Sequence, residues 1–97
     1  MKRLLWLGLL LAMPVAASSP QAWAAGNAAA RRACLAAAGL KGATASAPIL
    51  FSDQVGQTGF VIEGVYRQRH MKGARERFLC LYDRRAKRAE VAEMPGR

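Results

Sequence analysis

Few side chains in this sequence could do covalent or metal chemistry: one histidine, His70, two cysteines, Cys34 and Cys80, and a serine beside an acid, Ser52-Asp53. A hydrolytic site needs a nucleophile, a base that takes its proton and a group that orients the base. Ser52-Asp53 lies outside any Gly-Xaa-Ser-Xaa-Gly setting, and His70 is the only base on offer. A metal site needs three or four ligands at set spacings, which one histidine and two distant cysteines do not supply. The glycines from Gly56 to Gly64 lack the Lys-Ser/Thr ending and the following helix of a phosphate-cradling loop. These residue types predict no enzyme, no cofactor and no metal, and leave His70 as a solvated loop residue.

Positive charge is what the sequence concentrates. The chain carries 15 Lys and Arg against 6 Asp and Glu, a formal net charge of +9. Arg67, Arg69, Lys72, Arg75 and Arg77 crowd one segment opposed only by Glu76, and Arg84, Arg85, Lys87 and Arg88 crowd the next. These nine are the candidate anion-binding residues, because such a field draws anionic polymers and surfaces. Abundant alanine and the excess of arginine over lysine match a GC-rich coding bias, which does not account for the shortage of acids. If the two clusters sit on successive turns of a meander, a strand separates them by more than about 20 Å. A partner that uses both is then extended: a glycan strand, a lipid surface or an acidic protein face.

The N-terminus has the layout of a secretory signal. Lys2 and Arg3 precede the apolar run Leu4 to Ala17, and Ala22-Trp23-Ala24 places small residues at −3 and −1 of a cut. The run is broken by Pro14 and falls short of the roughly 20 residues a membrane-spanning helix needs. Val15-Ala16-Ala17 offers a second cut, and no cysteine near either cut could carry a lipid. Residues 1–24 are therefore expected as a signal peptide and 25–97 as one small domain, periplasmic or secreted, with no transmembrane anchor after cleavage. Export leaves nucleic acid an unsuitable partner, and no aromatic series accompanies the basic residues to stack bases. Loss of Lys2 and Arg3 leaves 13 basic residues against 6 acidic. In an oxidising compartment Cys34 and Cys80, 46 residues apart, can be joined.

The elements that must position these residues follow from local pattern. Asn27 is placed to cap a helix over Ala28–Ala38, stopped by Gly39. Ala30, Cys34, Ala37 and Ala38 share one side of it with Leu35 flanking, while Arg31 and Arg32 face outward. Gly42 to Pro48 reads as a connector into a short strand near Ile49 to Ser52, and Gly56 and Gly59 bracket a turn. Alternation from Phe60 to Arg69 puts Phe60, Ile62 and Tyr66 on one face. After a break at His70 to Ala74, Phe78, Cys80 and Tyr82 alternate with Arg77, Leu79 and Leu81. A last strand spans Lys87 to Glu93.

The expected fold class is α+β, one N-terminal helix on a three- to four-stranded antiparallel meander sheet, stapled by a helix-to-strand disulfide. In that register Val61, Val65, Leu79 and Leu81 form an apolar spot on the sheet face away from the helix, a candidate partner face. Two functions follow as expectations. The chain is a non-catalytic cell-envelope module that meets an anionic polymer, lipid surface or acidic protein through basic hairpins. Alternatively, it is a protein-interaction or inhibitor domain that uses the apolar outer face. Oligomeric state is left open.

Two motifs carry a resemblance. Ala33-Cys34-Leu35-Ala36-Ala37, and Leu79-Cys80-Leu81-Tyr82 running on through Ala89-Glu90-Val91-Ala92-Glu93-Met94, resemble a family of small proteobacterial secreted or periplasmic domains of uncharacterised role. That family carries an Ala-Cys-Leu-Ala-Ala helix motif and a later Arg-Cys-Leu-Val…Asp-Gly-Arg-Val-Ala-Glu-Val motif. The resemblance implies a paired helix-to-strand disulfide and an envelope location, not an activity. Where the family turn has glycine, this chain has Asp83-Arg84-Arg85-Ala86, which speaks against a tight two-residue hairpin and adds charge to the turn.

Overall fold

The computed structural model describes residues 19–95, and the candidate leader run Leu4–Ala17 lies outside them. Ser19 and Pro20 start helix α1, Pro20–Ala38. The Ser19 hydroxyl accepts from the Ala22 amide at 3.1 Å, and proline at the first helical position has no amide to leave unsatisfied. The helix ends where Gly39 turns left-handed (φ 62°) and its amide bonds to the Leu35 carbonyl at 3.2 Å. Asn27 is thus not the cap but a half-buried residue in mid-helix, because the stronger Ser-Pro start lies upstream. A leader cut after Ala24 would fall inside α1 and remove Ser19 and Trp23, whereas a cut after Ala17 leaves the capped helix whole.

Five strands follow: β1 Lys41–Ala45, β2 Ile49–Leu50, β3 Gln57–Val65, β4 Arg75–Asp83 and β5 Arg88–Glu93. All neighbours are antiparallel, in the order β1-β3-β4-β5, with β2 sharing β1's side of β3. β1 and β2 therefore act as one interrupted edge strand. At the interruption the Ser46 hydroxyl accepts from the Val61 amide at 2.9 Å and the Ser46 amide donates to the Val61 carbonyl at 2.9 Å. The segment expected as a connector, Gly42 to Pro48, supplies β1 instead. Its small residues have weak strand propensity, but the neighbouring β3 offers a ladder that overrides it. The site admits only small residues: a Cβ on Gly64 would come within 2.7 Å of the Leu40 Cβ. Gly42, at φ 62°, makes the bulge that lets β1 pass there.

Two further boundaries differ from the pattern. Gly56 (φ 72°) closes the turn before β3 as expected, yet Gly59 lies within the strand, opposite Ile49 and Leu81. β3 stops at Val65 rather than running to Arg69, since Tyr66 already bonds back to Ala74 and a 3-10 turn occupies Arg69–Met71.

The helix packs on the face that carries Thr58, Phe60, Ile62, Phe78, Cys80, Tyr82, Ala89 and Val91. Ala30, Cys34, Leu40, Phe60, Ile62 and Cys80 are fully buried. Ala37, expected on the inner stripe, is exposed; the contact line follows Ala30, Cys34 and Ala38, one turn apart at each step. Cys34 and Cys80 are disulfide-bonded, with Cα atoms 5.8 Å apart, joining α1 to the middle of β4.

Closing a 46-residue loop stabilises the domain by about 4 kcal/mol in the chain-entropy model. Urea unfolding with and without reductant should differ by about that amount, and a Cys34→Ala/Cys80→Ala chain should match the reduced protein. Coincident curves would show that the bond contributes nothing.

Candidate functional site

The two basic clusters lie at opposite ends of β4. One surrounds the β3–β4 turn, residues 66–74, and the other the β4–β5 turn, residues 84–87. Nine residues of β4 at about 3.3 Å each put them roughly 25 Å apart. At the first end Arg69, Lys72 and Arg75 are exposed, Lys72 in the left-handed region at φ 54°. Arg67 is partly committed, since its Nε donates to the Gly39 carbonyl at 3.0 Å and places a cation at the C-terminus of α1. Arg77 is half-buried on the outer face opposite Glu63, and its Nε is buried with no hydrogen-bond partner among the described residues.

At the second end Arg84 is set apart from its neighbours. Its guanidinium donates to the carbonyls of Gln57, Phe51 (3.0 Å) and Ser52 (3.2 Å) and to the Thr58 hydroxyl (3.1 Å). It also pairs with Asp53 at 3.5 Å and lies 5.9 Å from the centre of the Trp23 ring. Arg84 therefore fastens the β2–β3 turn to the β4–β5 turn rather than facing a ligand. Arg85, Lys87 and Arg88 are exposed. The turn itself is held by Asp83, whose Oδ1 accepts from the amides of Arg85 (2.9 Å) and Ala86 (3.0 Å). Those two amides, Ala86 first, hold the Asp83 carboxyl below its ordinary range. The connection is a four-residue turn, with Lys87 left-handed at φ 57° where glycine would be at ease.

The apolar face is broader than the sequence pattern indicated. Val61 and Val65 are half-buried, as is Leu81, and Leu79 is 38% exposed. Ile49 (45% exposed) and Phe51 (43%) extend the patch, because Gly59 leaves room for both. A Cβ on Gly59 would touch the Phe51 ring, Ile49 and Leu81 at 3.5–3.6 Å. Over β4 and β5 this face forms an open groove of about 490 Å³ lined by Leu79, Leu81, Asp83, Arg88, Glu90 and Ala92. Sequence reasoning missed Ile49 and Phe51 because their face depends on pairing with β3. The visible signal was three consecutive large apolar residues, Ile49 to Phe51, in a segment too short to bury them.

Two polar arrangements also escaped the sequence. Trp23, Asn27, Tyr82, Arg84 and Lys87 line a cleft of about 340 Å³ between the start of α1 and the sheet. At the other end the Tyr66 hydroxyl lies 3.1 Å from both Glu76 Oε2 and Glu93 Oε2. Burial and the two carboxylates push the Tyr66 phenol up to about 12. His70, in the 3-10 turn, is at the far end of the sheet from Ser52 and Asp53, so no Ser-His pair exists. No three metal-capable side chains cluster among the described residues.

No protein-family model matches the chain, nor does any curated protein or solved structure.

Arg84→Gln should lower stability by about 1.5–3 kcal/mol, since it strips charged hydrogen bonds from four acceptors. Arg85→Gln, on the exposed side of the same turn, should stay within about 0.5 kcal/mol of the parent. Equal effects in urea unfolding would contradict the separate roles. For Tyr66, the folded phenol keeps its proton above pH 10, where the unfolded one loses it. Its contribution to stability is whole below pH 10 and lost as pH rises to about 12. Ultraviolet titration should show one phenol ionising near pH 12, a phase that Tyr66→Phe removes. Persistence of that phase in the variant would assign it elsewhere.

Proposed function

We propose that the chain is a non-catalytic cell-envelope module that holds an extended anionic polymer or anionic lipid surface through its two basic turns. The observation that carries this is the lack of internal neutralisation. Among the described residues Arg84–Asp53 is the one ion pair within 4 Å, so eleven of twelve Lys and Arg are not directly paired with a carboxylate there, although Glu63 lies across from Arg77 and Asp83 near Arg85 and Arg88. An anionic partner supplies what the fold does not. The site reduces to Arg69, Lys72 and Arg75 at one end and Arg85, Lys87 and Arg88 at the other, because Arg67 and Arg84 have structural tasks and Arg77 is half-buried opposite Glu63. Their separation of roughly 25 Å favours a chain or surface over a small anion. Export by the N-terminal leader would bring the module to such partners.

A second reading, a protein-interaction domain that docks through the outer sheet face, is favoured by the exposure of Ile49, Phe51 and Leu79 around Leu81 and Val61. That patch is contiguous across three strands, whereas scattered single apolar residues would call for no account.

Co-sedimentation with vesicles of anionic phospholipid, and with a soluble anionic polysaccharide, tests the first reading. Binding should fade steeply as salt rises from about 0.01 M to 0.2 M, as the screening length contracts. Arg69→Gln/Lys72→Gln/Arg75→Gln should weaken vesicle binding by about a hundredfold at low salt, at about 1 kcal/mol per charge. Association that ignores salt and survives the triple change would dismiss the proposal.

A further inference from the structure

We propose that the outer sheet face pairs with the same face of a second copy of this chain, through a two-fold axis that runs across the strands. The inference rests on the second reading, an interaction domain docking by that face, and names the occupant. It is carried by the arrangement of side chains along β4 and its neighbours.

Outward-facing residues form rows set by the strand register. Glu63 and Arg77 are paired in one row, Val61, Leu79 and Ala92 in the next, Gly59, Leu81 and Glu90 in the third, and Gln57, Asp83 and Arg88 in the last. The two middle rows are mostly apolar and the outer rows are charged. A crosswise two-fold at the level of Cys80 keeps each strand over its own counterpart and reverses the order of rows. Leu79 then meets Leu81 of the second copy, and Val61 meets the Phe51 ring that covers Gly59. Arg77 meets Asp83, twice over by symmetry. The Asp83 carboxylate spends only Oδ1 on its own turn, and the Arg77 guanidinium forms no ion pair within 4 Å among the described residues. An axis along the strands would set each row against itself: over β4 it brings Arg75 and Arg77 onto their own copies, and between β3 and β4 it sets Arg77 against Glu63. The mixed charge of both margins thus suits a second copy of the same face, and the crosswise axis adds the Arg77–Asp83 contact.

Area sets the strength. Four strands at about 4.8 Å spacing, each running about seven residues at about 3.3 Å with alternate side chains facing out, offer on the order of 500 Å² per copy. About 1,000 Å² for the pair is at the weak end of specific interfaces, so assembly is expected only toward the upper part of the concentration range below.

Sedimentation equilibrium on the chain purified from the envelope fraction, from about 5 μM to about 1 mM, is the test. The mass should rise from monomer to dimer. Leu81→Arg and Arg77→Asp should each weaken pairing at least tenfold, with Leu79→Glu as a second face variant should Leu81→Arg unfold. Circular dichroism checks the fold of each. Arg69→Gln/Lys72→Gln, off this face, should dimerise like the parent. A chain that stays monomeric at about 1 mM overturns self-pairing, and so does a dimer that persists in a folded Leu81→Arg chain. Should the chain be monomeric, retention of envelope proteins on it decides the underlying reading. Selective loss with Leu81→Arg keeps the face as a docking surface with another occupant, and unchanged retention removes both.

Discussion

The bond between Cys34 and Cys80 is the constraint on which the domain depends. The core between its two layers is small: among the described residues six apolar residues are buried, of which Leu40, Phe60 and Ile62 are large and the two cysteines are the bond itself, with Leu35, Phe78, Tyr82 and Val91 half-buried around them. The contact face of α1 is mostly alanine, and burial of alanine removes little apolar surface from water. Small residues do permit close approach, which brings Cys34 within disulfide reach of Cys80. Closeness and covalent closure are therefore two consequences of the same stripe. Cys80 lies between Phe60 and Val91 in the register, so the tie enters at the centre of the sheet and pins the helix over β3, β4 and β5 together.

Charge is divided between structure and surface in a way that counting cannot reveal. Arg84 and Arg67 belong to the same dense runs as their neighbours, yet each is turned toward backbone carbonyls, Arg84 across two turns and Arg67 onto the end of α1. Arginine suits these tasks because its planar fork serves several acceptors at once. The remaining cations project from turns whose geometry is set by other means: Asp83 Oδ1 holds one, and Gly73 with the left-handed Lys72 shapes the other. Any anion-binding capacity is thus carried by fewer residues than the sequence lists, on supports that do not depend on the ligand.

Legibility in the sequence followed the strength of local signals. The disulfide, the helix through Cys34, the inward set Phe60, Ile62, Phe78, Cys80 and Tyr82, and the outward Leu79 and Leu81 could be read because alternation and cysteine count are strong signals. β1 could not, since Gly-Ala-Thr-Ala owes its strand to a partner seventeen or more residues away. The start of α1 was obscured by a competing meaning, because the residues that extend it, Pro20 to Ala24, also fit a leader cut. Ile49 and Phe51 were unassigned to a face for the same reason as β1. The Arg84 network and the Tyr66 pair with Glu76 and Glu93 join residues distant in sequence, where no periodicity reports.

A two-layer domain must leave one sheet face uncovered, and antiparallel sheets commonly fill that face with polar residues. Here the alternation is apolar on both sides for the middle of β3 and β4: Phe60 and Ile62 inward, Val61 outward; Cys80 inward, Leu79 and Leu81 outward. Nothing in the helix-side packing requires the outward set. Ile49, held on the edge by pairing with Gly59, and the Phe51 ring laid over that glycine enlarge it further. Polar replacements at the exposed Ile49, Phe51 and Leu79 would leave the helix-side core in place, which supports the proposed interface over a by-product of strand propensity. The charged rows that bound it point the same way, because Glu63 with Arg77 at one margin and Asp83 with Arg88 at the other provide both signs at each end. A patch framed like this favours a partner whose own margins carry both signs, which is the complementarity behind the proposed pairing with a second copy.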